Sequence, residues 1–384
     1  MISVCMIVKN EENNIAECIE SVRNLASEII IVDNGCTDLT IAIAKKYNCI
    51  IIDGKDCIID EAKRKYLEVA KYPWILTIDA DERCEKVNKD ILYKKLQKTD
   101  KSVWAYTVKE YQYLGLGKWS EISLVRLFRN NGLIKYNDSK IHASLIPSII
   151  DNGGLIEEIP IYFHHLDILY KNRTRNKREI YRNKLLDILN NEVFKMSDPS
   201  SYELYKIYLS MEYNAIGKYD DAKNILKDVV KNGRYYKNFA IISLCRTFLL
   251  TEEYDEISKS LNINEIDLNS NYGESLDMID ILANYYYEKN KNKSIELYER
   301  IILNNKARAS DYVNSSFLLM DEDYDKGKKY LLKAFKLNPY LNRNVIYEDG
   351  EKPNIFDQQS NMLFKMPSVK KIIEYYGLHK MINK

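Results

Sequence analysis

No apolar run in the 384-residue sequence approaches the roughly 20 residues needed to cross a bilayer, so no membrane span is expected. The first strand-like run begins at Ile2, with no charged leader or apolar h-region before it, which argues against a secretory signal. No C-x-x-C occurs, and the cysteines are odd in number: Cys5, Cys18, Cys36, Cys49, Cys57, Cys84 and Cys245. That usage favours reduced thiols and a cytoplasmic location over a disulfide framework or a zinc site. Neither sign of charge is in excess, with 57 Lys+Arg against 56 Asp+Glu. There is no global basic field to attract nucleic acid or anionic lipid. No G-x-G-x-x-G follows the first strand and no G-x-x-x-x-G-K-[ST] occurs, which removes the dinucleotide turn and the P-loop.

What is present divides into two periods. Up to about residue 165, short apolar strands alternate with helical stretches: "ISVCMIV", "NIAECIESVRNL", "EIIIVDN", "TIAIAKKY", "CIIID", "DEAKRKYLEVAKY" and "WILTID". This alternation predicts a largely parallel sheet covered on both faces. "VWAYTVKEYQYLG" and "EISLVRLFRN" read as longer strands in a mixed or antiparallel extension. Residues 166–200 read as a helical connector. From 201 to 384 a repeat is expected, with Ala222, Ile257, Ser294 and Gly327 in equivalent places, 35, 37 and 33 residues apart. A period near 34 is the tetratricopeptide signature. The tail "PSVKKIIEYYGLHKMI" would cap the last repeat. A generic helical bundle is the plainer alternative.

In an open α/β sheet, ligands bind beyond the carboxyl ends of the strands. Three acidic or polar clusters fall there: Lys9, Asn10, Glu11 and Glu12 after the first strand, Asp33 and Asn34 after the second with Asp38 just beyond, and Asp79 and Asp81 after the fourth. Oxygen ligands of this kind suit Mg²⁺ or Mn²⁺ held together with substrate phosphates. The D-x-D also fits a solvated strand end, and "DNGCTD" is good turn chemistry.

The motifs "SVCMIVKNEENNIAECIESV", "IIIVDNGCTDLT", "AKRKYLEVAKYPWILTIDADE", "LVRLFRN" and "IHA" occur in the order found in family 2 glycosyltransferases, which they resemble. The resemblance covers residues 1–165. It implies a GT-A fold, a Rossmann-like nucleotide-diphospho-sugar transferase domain, ahead of an all-α tetratricopeptide-like repeat domain. The repeats resemble those of relatives that modify peptides, including the sublancin-type S-glycosyltransferases. A nucleotide-sugar donor, usually a UDP-sugar, is implied, with Val8, Lys9, Asn10, Glu11 and Asp33 around the nucleoside. Arg64 matches a basic residue of the family, although Lys65 stands where Asn is usual. Asp79, Ala80 and Asp81 match the D-x-D. Asp81 would bind Mn²⁺ or Mg²⁺, with Asp79 contacting ribose or metal and His165 closing over the site.

The family is typically inverting and needs a base for the acceptor's proton. Many relatives carry "IHE" where this chain has Ile141, His142 and Ala143. Glu121, Asp138 and His142 are the substitutes in that region. The implied activity is transfer to a Cys or Ser/Thr side chain of a peptide or protein. The repeats would recognise that acceptor or form a homodimer. A cell-surface glycan or lipid-linked acceptor, and a degenerate adaptor, are the alternatives.

Overall fold

The computed structural model describes residues 1–55, 57, 59–115, 118–137, 143–165, 171–261, 273–304, 307–338, 341, 363, 366–367 and 369–381. The chain divides into two compact units, one of residues 1–112 and 122–167, the other of residues 113–121 and 168–384.

The first unit runs β1 (Ile2–Val8), α1 (Ile15–Val22), β2 (Glu28–Asp33), α2 (Thr40–Lys46), β3 (Ile50–Asp53), α3 (Ile59–Val69), β4 (Trp74–Thr77), β5 (Glu82–Cys84), α4 (Lys89–Lys98), β6 (Val103–Gly115), β7 (Lys118–Arg129), α5 (Ile146–Asp151) and β8 (Leu155–His165). The strands form one sheet in the order β3-β2-β1-β4-β7-β6-β8-β5. β1 to β4 are mutually parallel. β7 joins β4 antiparallel, β6 and β8 pair parallel, and β5 closes the row antiparallel to β8. The GT-A arrangement expected from the motifs is thus a parallel half extended by a mixed half.

The continuous apolar run of β1 is explained by its two buried faces. Ile2, Val4, Met6 and Val8 point into the core shared with Ile15, Ile19 and Val22 of α1. Cys5 points into the opposite core with Ala62 and Tyr66 of α3. Successive strand side chains alternate in this way, so a strand covered on both sides shows no polar phase. α1 buries Ile15, Cys18, Ile19 and Val22, the i, i+3, i+4, i+7 stripe of a helix lying on a sheet. α4 begins at Asn88, whose Oδ1 accepts from the Asp90 and Ile91 amides, a cap worth about 1 kcal/mol.

The second unit is helical: α6 (Lys171–Leu189), α7 (Glu192–Ser197), α8 (Pro199–Ala215), α9 (Tyr219–Asn232), α10 (Lys237–Leu250), α11 (Tyr254–Ser260), α12 (Gly273–Lys289), α13 (Lys291–Leu303), α14 (Ala309–Leu318), α15 (Tyr324–Leu337) and α16 (Val369–Tyr375). Helices α8 to α15 pack as consecutive pairs. Ala222, Ile257, Ser294 and Gly327 sit near the start of the second helix of each pair, and all four are buried. The small residues let the paired helices approach closely. A Cβ on Gly327 would overlap the Tyr376 hydroxyl, so the last repeat receives the chain that follows α16 where earlier repeats hold a side chain. At the α9–α10 turn, the buried Glu203 carboxylate accepts from the amides of Arg234, Tyr235 and Tyr236. Gly233 permits this, because a Cβ there would lie 2.7 Å from Glu203 Oε1.

Candidate active site

β8 assembles the site. Its last residue, His165, pairs with Glu82 of β5 on one side and Gln112 of β6 on the other. This register carries His165 to the Asp79–Asp81 turn. The turn itself is closed twice: the Glu82 amide donates to the Asp79 carbonyl at 3.0 Å, and the Asp79 amide donates to Glu82 Oε2 at 2.8 Å. Ala80 is buried, and its carbonyl accepts from Arg83 Nη1.

Asp81 is buried, and its Oδ2 lies 3.6 Å from His165 Nε2. The other ring nitrogen, Nδ1, lies 3.3 Å from Glu110 Oε1. Glu82, Glu110 and His165 offer ligand atoms within 4.8 Å of one another. Arg126 Nη2 reaches three carboxylates: Glu82, Glu110 at 3.0 Å and Asp79 at 3.5 Å. Asp79 is 58% exposed at its side chain, while Glu82 and Glu110 are fully covered.

The ionisation of this cluster follows from burial and pairing. Burial, reinforced by Glu110 and Asp79, pushes the Glu82 carboxyl well above the ordinary range, although Arg126 opposes this. Burial works against Glu110 as well, but the His165 hydrogen bond and the Arg126 charge hold its carboxyl below the ordinary range. The two carboxyls are thus pushed in opposite directions, Glu82 up and Glu110 down. Burial opposes protonation of His165, yet its hydrogen bonds to Asp81 and Glu110 raise it well above the ordinary range. Four carboxylates, Asp79, Asp81, Glu82 and Glu110, thus face two basic groups, Arg126 and His165. The cluster is short of positive charge.

His164, the other half of the His-His pair, points away. It stacks on Tyr111 with centroids 5.5 Å apart, and its Nε2 meets Glu85 Oε1 at 3.0 Å. Alternation along the strand makes one histidine a site residue and its neighbour a packing residue.

At the far side of the sheet edge, two loops are laced together. Val8 is buried and pairs with Asp33 across β1 and β2. Lys9 is exposed. Asn10 adopts a left-handed φ of 58°, and its Oδ1 accepts from the Thr37 amide at 2.8 Å. The Glu11 amide donates to Thr40 Oγ1 at 2.7 Å, and the Glu11 carboxylate accepts from Asn14 Nδ2. Asp33 Oδ1 accepts from the amides of Gly35 and Cys36, with Gly35 at φ 87° supplying the turn. The structure thus places Val8 to Glu11 beside Asp33, and Asp79, Ala80 and Asp81 beside His165.

Arg64 is exposed, with Nη2 3.5 Å from the Asn137 carbonyl. Lys63, one residue earlier on α3, lines a cavity of about 360 Å³ whose wall includes Asp79, Arg126, Tyr66, Tyr136 and Ala143. Neighbouring helix residues point about 100° apart, so one position decides which basic group faces the cavity. Glu121 belongs to the second unit, where its Oε1 accepts from the Ala309 amide at the start of α14, 3.2 Å away. It does not line the cavity. Asp138 and His142 lie outside the described residues.

The sequence singles out neither Arg126 nor Glu110, and Glu82 only as the third carboxylate of the strand end that begins at Asp79. A signal was present for two of them. Glu110 continues the buried phase of Tyr106 and Val108 along β6, and Arg126 interrupts the apolar run Leu124–Phe128.

Residues 3–148 match the family model described as Glycosyl transferase family 2. Those residues, the sheet-bearing part of the chain, are thus similar to a family 2 glycosyltransferase domain. Among curated relatives, the chain is 34% identical over 161 residues to the lipopolysaccharide core biosynthesis glycosyltransferase LpsC of Rhizobium meliloti, covering 38% of this chain and 57% of LpsC. It is 26% identical over 284 residues to the SPbeta prophage-derived glycosyltransferase SunS of Bacillus subtilis, covering 68% of this chain and 62% of SunS. The match thus spans less than two thirds of either relative. Among solved structures, glucosyl-3-phosphoglycerate synthase of Mycobacterium tuberculosis, in complex with Mn²⁺, UDP and glucosyl-3-phosphoglycerate, aligns with a TM-score of 0.32 at 18% identity, over 47% of this chain and 78% of that one. No helix among the described residues is long and apolar enough to cross a membrane.

Proposed function

We propose that the chain transfers a sugar from a nucleotide-sugar donor, a UDP-sugar as the family resemblance implies, to a nucleophilic side chain of a peptide or protein. The observation that carries this reading is the Asp81–His165 pair set in a cluster short of positive charge. A divalent cation fits there by donor chemistry: the Asp81 carboxylate and the His165 imidazole lie 3.6 Å apart, and Glu82 and Glu110 offer oxygens within 4.8 Å of a His165 ring nitrogen. Asp81 Oδ2 and His165 Nε2 would hold Mn²⁺ or Mg²⁺, and such a cation offsets the charge that develops on the departing diphosphate.

The chain's own residues do the rest. Glu110 accepts from His165 Nδ1 and so turns Nε2 toward Asp81, the carboxylate–histidine support common behind metal ligands. Arg126 clamps Glu82 and Asp79 and fixes the turn that carries Asp81. Asp33 spends Oδ1 on the turn amides, which leaves Oδ2 for the ribose or base. Asp79, exposed at the cavity rim, faces the reacting end of the donor.

The acceptor half rests on Ala143. Ala143 lines the cavity, and it stands where the motif resemblance implies a carboxylate. A serine hydroxyl is a poor nucleophile without a base, whereas a cysteine thiol already supplies a few per cent thiolate at neutral pH. This favours a thiol acceptor, with Asp138 and His142 the competing bases for a hydroxyl. The helical pairs provide the surface for a peptide, since stacked repeats form extended binding faces.

The test is donor hydrolysis and transfer with Mn²⁺ and with EDTA, followed by mass spectrometry of Cys and Ser versions of a candidate acceptor peptide. Full activity in EDTA removes the cation. A Ser peptide glycosylated as fast as its Cys parent removes the thiol preference.

A further inference from the structure

The cavity beside Asp79 has a wall that the donor-holding residues leave unused. Arg126 stands in it with its charge already answered by Glu82 and Glu110. The remaining polar wall is rich in hydroxyls, from Thr77, Thr107, Ser123, Tyr66 and Tyr136. Beside these hydroxyls stand one further cation, Lys63, whose Nζ lies 5.4 Å from the Tyr136 ring centroid, and the carboxylate of Asp79; a wall in which hydroxyls predominate suits a polyol, and about 360 Å³ falls within the range of small-molecule pockets.

Two of those hydroxyls are bonded to each other. Tyr66 Oη and Tyr136 Oη are 2.6 Å apart. The rings meet edge to face, 81° between planes and 6.3 Å between centroids. Two phenols carry two protons, and the mutual bond uses one. The other proton has no acceptor among the described residues. Burial raises both phenols above their ordinary range, so both stay protonated at neutral pH. The pair therefore presents one donor and spare lone pairs at the cavity wall, the pattern that complements a sugar hydroxyl, itself donor and acceptor.

We propose that the Tyr66–Tyr136 hydroxyl pair reads one hydroxyl of the transferred sugar, seated in this cavity, and so sets which sugar the enzyme accepts. This rests on the nucleotide-sugar reading given above. A site built to hydrogen-bond a substrate hydroxyl discriminates strongly against the analogue that lacks it, because its own buried groups are then left unpaired. Phenylalanine keeps the ring contact and removes only the hydroxyl, so each Tyr→Phe change isolates the reading function.

The experiment uses the full chain with Mn²⁺. UDP binding is measured first by calorimetry. UDP-glucose, UDP-galactose and UDP-N-acetylglucosamine are then compared as hydrolysis substrates, followed by the monodeoxy analogues of the best donor. In the parent, one deoxy position should cost about tenfold or more in kcat/KM. In Tyr136→Phe and Tyr66→Phe that same deletion should cost less than about twofold, while deletions elsewhere on the ring cost what they cost the parent. UDP affinity should be the same in parent and variants. A uniform loss across all donors would mean that the pair only packs, and would overturn the inference while leaving the transferase reading standing. If neither UDP nor any sugar nucleotide bound the parent, the nucleotide-sugar reading would fail and take the inference with it. Thermal midpoints of both variants within a few degrees of the parent guard against misfolding as the cause.

Discussion

Each unit buries one arginine inside three carboxylates, and the two clusters differ in what surrounds them. In the first, Arg126 gathers Asp79, Glu82 and Glu110. In the second, Arg308 gathers Asp277, Asp280 and Asp311. The second cluster is closed by local structure. Arg308 is the N-cap of α14, its amide donates to Asp311 Oδ2 at 2.7 Å, and Arg246 supplies a further cation to Asp277 at 3.2 Å. The first cluster is left open. It borders a cavity and adds Asp81 and His165. Burial and charge alone therefore do not mark a functional site. The useful mark is an electrostatic shortfall that faces a space a ligand can enter.

The contrast breaks most sharply at Asp81. Asp81→Ala should lower transfer about 10³-fold, or ~4 kcal/mol, assayed with saturating Mn²⁺, with the thermal midpoint near that of the parent. An active variant would make the first cluster as structural as the second. Arg308→Met should show the reverse pattern. It leaves Asp280 and Asp311 buried beside a missing cation and should cost roughly 3 kcal/mol of stability, the low end for a broken buried pair because Arg246 still holds Asp277. Denaturant unfolding followed in the helical unit checks this, and unchanged stability would deny the second cluster its structural role. Glu110→Gln sharpens the comparison further. It should weaken apparent Mn²⁺ affinity by about 10–100-fold, the usual effect of removing a carboxylate behind a ligating histidine. Calorimetric titration with Mn²⁺ reads that loss, and an unaffected affinity would assign Glu110 to packing. The smallest effect belongs to Glu203, a carboxylate satisfied by backbone amides alone. Glu203→Gln should cost about 1–2 kcal/mol of stability with no change in donor hydrolysis, by thermal melts alongside the hydrolysis assay.

Much of the fold was legible because it repeats. The strands of the parallel half and the stripe of α1 follow from periods of 2 and 3.6. Ala222, Ile257, Ser294 and Gly327 were visible as a period before their burial was known. Asp79, Asp81 and His165 were legible through the motif resemblance. Arg126, Glu82 and Glu110 were harder to read because strand pairing, not sequence distance, brings them together. Glu110 reaches His165 only through the parallel pairing of β6 with β8. Glu121 illustrates the opposite difficulty. It is near the right motifs in sequence, yet its carboxylate is spent on the start of α14.

The place of β5 at the edge of the sheet has a consequence for synthesis on the ribosome. Its pairing partner is β8, and Asp81 immediately precedes β5 while His165 ends β8. Translation at ~5–20 residues per second separates the two by several seconds. A nascent chain can build β1 to β4 and the loops around Asn10 and Asp33 before β8 exists. Until His165 emerges, β5 has no strand to lie against and the Asp81 carboxylate has no imidazole opposite it. The parallel half is thus assembled first, and the corner that completes the chemistry forms only when the whole first unit has been made.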